Sequence, residues 1–319
     1  MISRRQLRIK VLQTLYAYYQ ADNDQLNLAE KELQKNINKS YDLYHYLLVM
    51  IMEISNLAES RIEIGRNKRI PSREDLNPNT RFVENRLTHQ LRYSEQLLRY
   101  ADAAKLSWVD YPELIKEMYK LILEDEGYQE YMNLESSSYA DDKKIIIRLF
   151  TNIILPNENL ESVLEEQSIY WNDDLEFMIS MLIKTIKRFK EDEEDVKLLE
   201  LYKNPEDKDF AIGLFRKSIL NRNEYLEYIK NNTKNWDLDR IAFMDILIMQ
   251  MAIAELVGFS SIPTKVTLNE YLEISKYYST SKSNVFINGV LDKVAADLRE
   301  QNLISKTGRG LIGENEEKE

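Results

Sequence analysis

Three arginines lie close together at the start of the chain, in a segment without any acidic residue. Arg4, Arg5 and Arg8 fall within residues 1–12, beside Lys10. Guanidinium groups bind phosphate oxygens through charge-assisted hydrogen bonds, often two at a time. Cations at a helix N-terminus are mildly unfavourable against the helix dipole, so three of them indicate a use other than helix stability. Binding of an anionic backbone is one such use; a solvated, basic helix start is the plainer interpretation.

The residues that catalysis or metal binding would need are scarce. The chain has no cysteine and only two histidines, His45 and His89, both among helix-forming residues. No glycine-rich phosphate loop follows a strand pattern, and neither His-Glu-x-x-His nor Gly-x-Ser-x-Gly occurs. The carboxylates gather in runs such as 191–195, which are typical of a solvated face. The sequence therefore predicts a protein that is not an enzyme and has neither a metal site nor a cofactor.

The formal net charge of −11 by itself argues against a nucleic-acid-binding protein. The charge is unevenly spread, however, because the acids gather at 191–195 and 314–319 while residues 1–12 are basic. Charges are screened over about 10 Å at physiological salt, so phosphate binding depends on the local field at the contact. A basic surface can therefore bind RNA on an acidic protein.

Neither a membrane span nor a targeting segment is predicted. No window approaches eighteen uninterrupted apolar residues. The start of the chain is basic but lacks the apolar core and the small-residue cleavage site of a signal peptide. Without cysteine there is no disulfide framework either. We expect a cytoplasmic protein.

The elements that must position these residues are predicted to be helices. Only 8 glycines and 6 prolines occur in 319 residues, too few breakers for a fold rich in β-turns. Ser3 is a fair N-cap for the first helix. Apolar residues in that helix recur at three- and four-residue spacing, at Ile9, Leu12, Tyr16 and Tyr19. The fold class is therefore all-α.

Apolar periodicity predicts further helices along the chain, at 40–66, 80–106, 112–124, 142–155, 158–169, 174–190, 207–220, 222–231, 238–257, 264–277 and 283–300. The polar stretch 67–80, with two prolines, is the clearest loop. The tail 304–319, with three glycines and a charge run, is expected to be disordered and acidic.

Two features of the C-terminal part indicate how its helices pack. The segment Ile246–Leu256 is apolar nearly all round, which predicts a helix at the centre of the core. Gly289 lies inside a predicted helix, where glycine costs about 1 kcal/mol against alanine. Because a buried helical glycine permits close packing, we expect another helix to lie against it.

The middle of the chain echoes the C-terminal part at an offset of 65 residues. Asp142 and Lys143 correspond to Asp207 and Lys208. Trp171 corresponds to Trp236, so that two of the three tryptophans coincide. A duplicated helical unit explains these pairs, and shared helical periodicity is the alternative.

Two separate parts of the chain together resemble one known family. Near the N-terminus, Arg4-Arg5-x-x-Arg8 runs into Leu12-Gln-Thr-Leu-Tyr16. The C-terminal part carries, in order, Ala252-Ile-Ala-Glu-Leu256, Ile262-Pro-x-Lys-Val266, Asn269-Glu270, Glu273-Ile-Ser-Lys276 and Phe286-Ile-Asn-Gly-Val-Leu-Asp292. In sequence and spacing these motifs resemble the NusB family, over about 1–20 and 206–300.

This resemblance implies an all-helical protein, a NusB-like helical bundle extended by additional helices. It further implies a transcription antitermination factor that binds the boxA element of nascent RNA together with the ribosomal protein NusE. The resulting antitermination complex makes RNA polymerase resistant to termination, chiefly during ribosomal RNA synthesis.

The resemblance also assigns the RNA-binding residues. Arg4, Arg5 and Arg8 would contact phosphates, and Tyr16 would lie near the RNA. Phe286 would stack on a base, a contact of about 1–3 kcal/mol in single-strand binding. The remaining candidates would surround this ring or add a phosphate contact, and are Lys276, Lys282, Ser283 and Asn288.

The chain also departs from the family pattern. Family members usually carry Asp-Arg at the start of the central helix and Leu-Arg one turn later, but Ile246 and Gln250 stand in place of these arginines. We predict N-terminal helices of the NusB-like fold at 1–60, a helical insertion at 61–205, a C-terminal NusB-like bundle at 206–303 and the tail at 304–319. The acidity of the insertion argues against extra RNA binding; a platform, a dimer surface and a partner site stay open.

Two other functions were weighed against RNA-binding antitermination. The same fold serves as the N-terminal domain of ribosomal RNA cytosine methyltransferases, but these need a Rossmann-like domain with catalytic cysteines, and cysteine is absent here. A helical protein-interaction scaffold without RNA affinity is the other alternative, favoured by the acidic charge and the long insertion.

Overall fold

The structure is a computed structural model that describes residues 1–21, 25–193, 195–233 and 240–313. In these ranges it contains fifteen α-helices, no β-strand and one isolated parallel bridge between Ile2 and Tyr202. The prediction of an all-α fold is confirmed. None of the helices in the described ranges has the length and apolar character to cross a membrane.

The helices account for most of the described chain, and their bounds are α1 Arg4–Gln20, α2 Leu26–Arg66, α3 Arg73–Leu76, α4 Arg86–Tyr93, α5 Glu95–Ala104, α6 Pro112–Glu124, α7 Glu126–Met132, α8 Tyr139–Leu149, α9 Glu158–Gln167, α10 Leu175–Arg188, α11 Glu206–Leu220, α12 Arg222–Asn232, α13 Phe243–Gly258, α14 Thr264–Tyr278 and α15 Ser281–Glu300. A π-helical turn, Phe150–Ile154, continues α8.

Two local signals explain where the helices differ from prediction. Ser94 interrupts the helix predicted at 80–106, because its hydroxyl accepts from Leu97 N and caps α5. A reciprocal capping box between Ser72 and Asp75 forms the short α3 inside the predicted loop 67–80. Ser72 and Ser94 are thus the N-caps of α3 and α5.

The chain forms two compact units. The insert unit comprises Met1 with Asn38–Leu201, and the terminal unit comprises Ile2–Ile37 with Tyr202–Glu319. The sequence had placed the boundaries after residues 60 and 205. The first boundary lies earlier in the structure because the apolar face of α2, from Leu43 to Ile54, packs into the insert core.

In the terminal unit, α13 is the central helix. Every residue from Leu247 to Leu256 is buried, and α13 packs against α1, α11, α12, α14 and α15. The prediction of a central core helix is confirmed. On α1, the side chains of Leu7, Val11 and Leu15 are buried one turn apart, which contributes roughly 1.5–3 kcal/mol each. This buried stripe fixes which way the arginines of α1 point.

The insert unit has its own aromatic core. Trp108 stacks on Tyr46 with ring centroids 3.9 Å apart and donates from its indole N–H to the Tyr46 carbonyl. His45 is fully buried, stacks on Tyr100 at 3.9 Å and bonds through Nδ1 to the Tyr41 carbonyl. His45 is therefore a core residue of this unit.

Gly289 does not pack as the sequence led us to expect. It lies exposed on α15, and in the described ranges no atom comes within 4 Å of the place a Cβ would occupy. The expectation was wrong because the buried face of α15 carries Ile287, Val290, Leu291 and Val294, and Gly289 faces the other way.

Part of the predicted disordered tail is anchored in the structure. Lys306 Nζ donates to the carbonyls of Leu256 and Phe259, and Thr307 N donates to the Ser260 carbonyl at 3.0 Å. These bonds cap the end of α13. Residues 314–319 lie outside the described residues.

One kind of contact occurs inside each unit, and its two aspartates stand 65 residues apart in the sequence. In the insert unit Arg86 Nε donates to Asp142 Oδ2 at 2.7 Å, and in the terminal unit Arg4 Nε donates to Asp207 Oδ1 at 3.0 Å. Both arginines open a helix, α4 and α1, and both aspartates lie near the start of another, α8 and α11. Trp236, which carried the echo in sequence, lies outside the described residues.

Candidate nucleic-acid interface

Arg5 is the most exposed of the three N-terminal arginines. Its guanidinium donates from Nε and Nη2 to the two carboxylate oxygens of Glu270, at 3.0 and 2.7 Å. The side chain is 47% exposed, and its hydrogen bonds to Glu270 raise its pKa. Arg5 is thus charged, oriented by α14 and open to solvent on one side. A phosphate can reach the Arg5 guanidinium without any helix having to unfold.

Arg4 is turned toward α11. Its Nε donates to Asp207, its guanidinium lies 5.1 Å from the centre of the Phe210 ring, and its side chain is 34% exposed. The aspartate holds the head of the side chain while part of it reaches solvent.

Arg8 lies inside the terminal unit. Its Nε and Nη2 donate to both oxygens of Glu255 at 2.7 and 2.6 Å, and only 3% of its side chain is exposed. Burial alone would lower the pKa of Arg8, but hydrogen bonds to Glu255 and the charge of that carboxylate raise it overall. Thr267 and Tyr271 donate to the same carboxylate at 2.9 and 3.1 Å. This closed network corrects the expectation that Arg8 contacts a phosphate, because no face of the guanidinium is open.

The second half of α1 carries an aromatic group near the surface. Tyr16 is 41% exposed, and its ring lies 5.9 Å from that of Phe243. Arg222 lies over the Tyr19 ring at 3.9 Å, where the cation meets the face of the ring. Tyr16 is therefore supported from beneath while its edge stays accessible.

The end of α14 presents a cation and an exposed aromatic ring side by side. Lys276 pairs with Glu273 one turn earlier, and this hydrogen bond lowers the pKa of Glu273. The next residue, Tyr277, is 83% exposed. Tyr278 accepts a hydrogen bond from Gln13 of α1 at 3.3 Å. The exposure of Tyr277 adds a candidate RNA contact that the sequence did not single out.

The first turns of α15 hold the remaining candidates. Thr280 caps the helix through Ser283, whose N–H donates to the threonine hydroxyl at 3.2 Å. Lys282 and Asn288 are exposed, whereas Ser283 and Phe286 are half-buried. The ring of Phe286 is thus partly accessible to solvent.

α14 holds both helices that carry the other candidates. Arg5 of α1 bonds Glu270 of α14, while Asn284 of α15 donates to the Leu272 carbonyl and to Ser275 Oγ at 2.8 and 2.7 Å. α1 and α15 are thus both fixed to the same helix. We give the name α14 surface to five residues on α14 and on the two helices fixed to it: the exposed Arg5, Lys276, Tyr277 and Lys282 and the half-buried Phe286.

The acids that hold the arginines were not predicted from sequence. Glu255 is fully buried in α13, a largely apolar helix, and Glu270 of α14 accepts from the same arginine, Arg8. A carboxylate buried in such a helix needs a cation or hydrogen-bond donors as its partners. That signal was available at Glu255, but it did not identify Arg8, which lies 247 residues away in sequence.

The two departures from the family pattern place neutral side chains on α13, at the half-buried Ile246 and at Gln250. Gln250 is fully buried and donates to Tyr19 Oη at 3.0 Å and to the Ser218 carbonyl at 2.5 Å. Asp245, the acid before Ile246, accepts a hydrogen bond from Ser279. Gln250 therefore makes hydrogen bonds in place of the ion pair that an arginine would need.

No metal site is formed in the part of the chain that the structure describes, because no three acidic or histidine side chains gather there. A shallow pocket in the insert unit is lined by Tyr139, Lys143 and Ile147. Lys143 donates to the carbonyls of Lys187 and Phe189, so its ammonium is engaged in holding the fold.

A family model and individual relatives both match this chain, and they carry the same family name. The model of the NusB family matches residues 174–296. A transcription antitermination protein NusB of Salinibacter ruber is 43% identical over 113 residues, which cover 35% of this chain and 71% of that protein. The protein of the same name from Chloroherpeton thalassium is 38% identical over 105 residues, 33% of this chain and 50% of its own length.

A third relative of that name, from Natranaerobius thermophilus, is 44% identical over 72 residues, 23% of this chain and 52% of its own length. The chain thus spans about half the length of the second and third relatives. No solved structure matches it.

Proposed function

The chain belongs to the NusB family, and from this we propose that it is an RNA-binding transcription antitermination factor. In the cytoplasm it binds boxA-type single-stranded RNA together with the ribosomal protein NusE. Within the RNA polymerase antitermination complex, this binding suppresses termination during ribosomal RNA synthesis. It acts by binding and carries out no catalysis.

The α14 surface is the observation that carries the RNA-binding proposal. It combines a half-buried ring at Phe286, an exposed ring at Tyr277 and cations at Arg5, Lys276 and Lys282. Aromatic faces that stack bases, set among cations that track phosphates, are how proteins hold single-stranded nucleic acid. Each stacked base contributes about 1–3 kcal/mol.

The N-terminal arginines have different roles in this proposal. Arg5 binds a phosphate by exchanging part of its hydrogen bonding with Glu270 for phosphate oxygens, and since exposed ion pairs contribute about 0–1 kcal/mol this exchange costs little. Arg4 keeps its bond to the buried Asp207 and meets a phosphate with the exposed part of its guanidinium. Arg8 positions α1 on α13 through Glu255 and does not touch RNA.

The remaining candidates complete the surface. Ser283 and Asn288 flank Phe286 on α15 and offer hydrogen-bonding groups to a stacked base, and Tyr16 provides a further aromatic edge on α1. Hydrogen bonds to base edges are what would select one RNA sequence over another.

The test is a titration of the protein with a boxA-type RNA oligonucleotide at two salt concentrations, with and without the NusE-type ribosomal protein. We expect affinity that rises with the ribosomal protein and falls with salt. Absence of binding under every one of these conditions would refute the proposal.

The chain offers a matched control for the arginine contacts. Arg216 pairs with both oxygens of Glu30 and is 51% exposed, closely resembling the geometry of Arg5 with Glu270, but it lies on α11. Arg5→Gln should weaken RNA binding several-fold, whereas Arg216→Gln should leave it unchanged.

A scaffold that binds protein and not RNA is the second candidate. The carboxylate partners of Arg4, Arg5 and Arg8 are the observation that favours it, because they neutralise the charge that RNA would need. Under that function, Arg5→Gln and Arg216→Gln would behave alike in the RNA titration.

A further inference from the structure

Gly289 lies at the middle of the solvent face of α15. Successive exposed residues on this face are Lys282, Val285, Gly289 and Lys293, spaced three or four apart as one side of a helix requires. Val285 is 73% exposed. Phe286 lies one turn before Gly289, so the open position adjoins the ring proposed to stack a base.

Packing within the terminal unit does not account for this glycine. Glycine in a helix interior is less favourable than alanine, because it loses more backbone freedom on folding. At Gly310 a Cβ would meet the Ser260 carbonyl oxygen at 2.0 Å, so the fold itself requires glycine there. At Gly289, by contrast, a Cβ would meet nothing within 4 Å in the described part of the chain.

We propose that Gly289 is the point where bound RNA comes closest to the protein backbone. The sugar–phosphate chain crosses α15 at Gly289, while the base attached to it stacks on Phe286. Lys282 and Lys293, on either side of the glycine along the helix, pair with the flanking phosphates. This inference rests on the RNA binding proposed above and identifies where on α15 the backbone lies.

Charge on this face favours RNA as the occupant. Two lysines flank the glycine and one acid, Asp292, lies beside it. The apolar Val285 next to Gly289 can cover a ribose, and the half-buried ring of Phe286 can accept a base. An open stretch of helix surface without a side chain, between a ring and two cations, fits a nucleotide backbone, which is broad and anionic.

The proposal predicts opposite effects of one substitution on stability and on binding. Gly289→Ala should raise the thermal midpoint, by roughly 2–4 °C, because alanine is the better helix former. The same variant should bind a boxA-type RNA oligonucleotide roughly tenfold more weakly, a loss of about 1.4 kcal/mol. Gly289→Val should weaken binding further without the gain in stability, because it is larger and β-branched.

Gly213→Ala provides the matched control. Gly213 lies inside α11, where a Cβ would make a contact of 3.4 Å with the Phe259 ring. This variant should keep the RNA affinity of the wild type.

Each outcome of the RNA titration decides the matter. If the wild type and Gly289→Ala bind the RNA equally well, the inference is overturned and the proposed function stands. Failure of the wild type to bind RNA at all would remove both. Loss of ribosomal-protein binding by Gly289→Ala, with RNA binding intact, would assign this face to a protein and overturn the inference as well.

Discussion

At the scale of single residues, the ion pair of Arg8 with Glu255 holds the fold of the terminal unit together. It lies beneath exposed residues that are proposed to bind RNA, but it is itself buried. Both groups are almost fully buried, and Thr267 and Tyr271 satisfy the remaining lone pairs of the carboxylate. A buried pair of this kind adds little net stability against an apolar pair, but removing one partner leaves a buried, unpaired charge.

Arg8→Ala should therefore lower the free energy of unfolding by about 3–5 kcal/mol. Arg5→Ala, which breaks an exposed pair with Glu270, should lower it by about 1 kcal/mol or less. Urea unfolding followed by circular dichroism measures both. Similar losses in the two variants would contradict the structural role of Arg8.

His45 makes the stability of the insert unit depend on pH. Burial lowers the pKa of His45 to about 4, well below its value of about 6.5 in an unfolded chain. As pH falls below 6.5 the unfolded state takes up a proton first, so the folded state loses stability, by about 2 kcal/mol at pH 5.

Replacing the ring should remove this dependence. Urea unfolding at pH 7 and pH 5, followed through the fluorescence of Trp108 and Trp171, should show a smaller loss for His45→Phe than for the wild type. His89→Phe is the control, because His89 is exposed on α4. If the wild type and His45→Phe lose the same free energy of unfolding between pH 7 and pH 5, the pH dependence does not come from His45.

At the scale of elements, some positions followed from the sequence and others did not. The N-cap at Ser3 could be predicted because a hydroxyl residue precedes an apolar run. The central helix α13 could be predicted because its apolar segment is long enough for a helix. Gly289 could have been placed correctly as well, because Ile287, Val290 and Val294 already define the buried face of α15.

The pairing of elements was beyond the sequence. Arg5 meets Glu270 across 265 residues, and nothing local marks them as partners. The residues proposed to bind RNA could be named from a family resemblance, but exposure separates Arg5 from Arg8 only once α1 is packed on α13 and α14. The same holds for Tyr277, whose exposure is a property of where α14 ends.

The segment after α15 is predicted from sequence to be disordered, but in the structure it is held against the end of α13. Gly310 is buried against Ser260, where a Cβ would meet the carbonyl oxygen at 2.0 Å. Gly310→Ala should therefore release the segment and speed tryptic cleavage after Lys306, whose ammonium is engaged by the carbonyls of Leu256 and Phe259.

Gly289→Ala controls for the effect of the substitution itself, since its Cβ has open space. In Gly289→Ala, trypsin should cleave after Lys306 at the wild-type rate. Equal cleavage of wild type and Gly310→Ala would mean that the segment is not held at Ser260.

At the scale of the whole molecule, an acidic chain is proposed to bind RNA through a local group of cations. With Arg4, Arg5, Lys276, Lys282 and Lys293 each meeting one phosphate, log affinity should fall against log salt with a slope of about −3.5. Arg5→Gln should make the slope shallower by about 0.7. Binding that is independent of salt would contradict the cation contacts.

The insert unit and the terminal unit each contain an arginine that opens one helix and an aspartate near the start of another. This recurrence supports the hypothesis of a duplicated helical unit, which remains a prediction. In the insert unit, Arg86 also pairs with Glu191, so this cation is surrounded by carboxylates. RNA binding is accordingly proposed for the terminal unit alone.

The most direct test of the central claim is terminator read-through during transcription of a boxA-containing template, in an extract depleted of this protein and then supplied with it. We predict that read-through rises on addition of the wild type and does not rise when boxA is scrambled. Equal read-through with and without the protein on the boxA template would contradict the proposal that this chain is an antitermination factor.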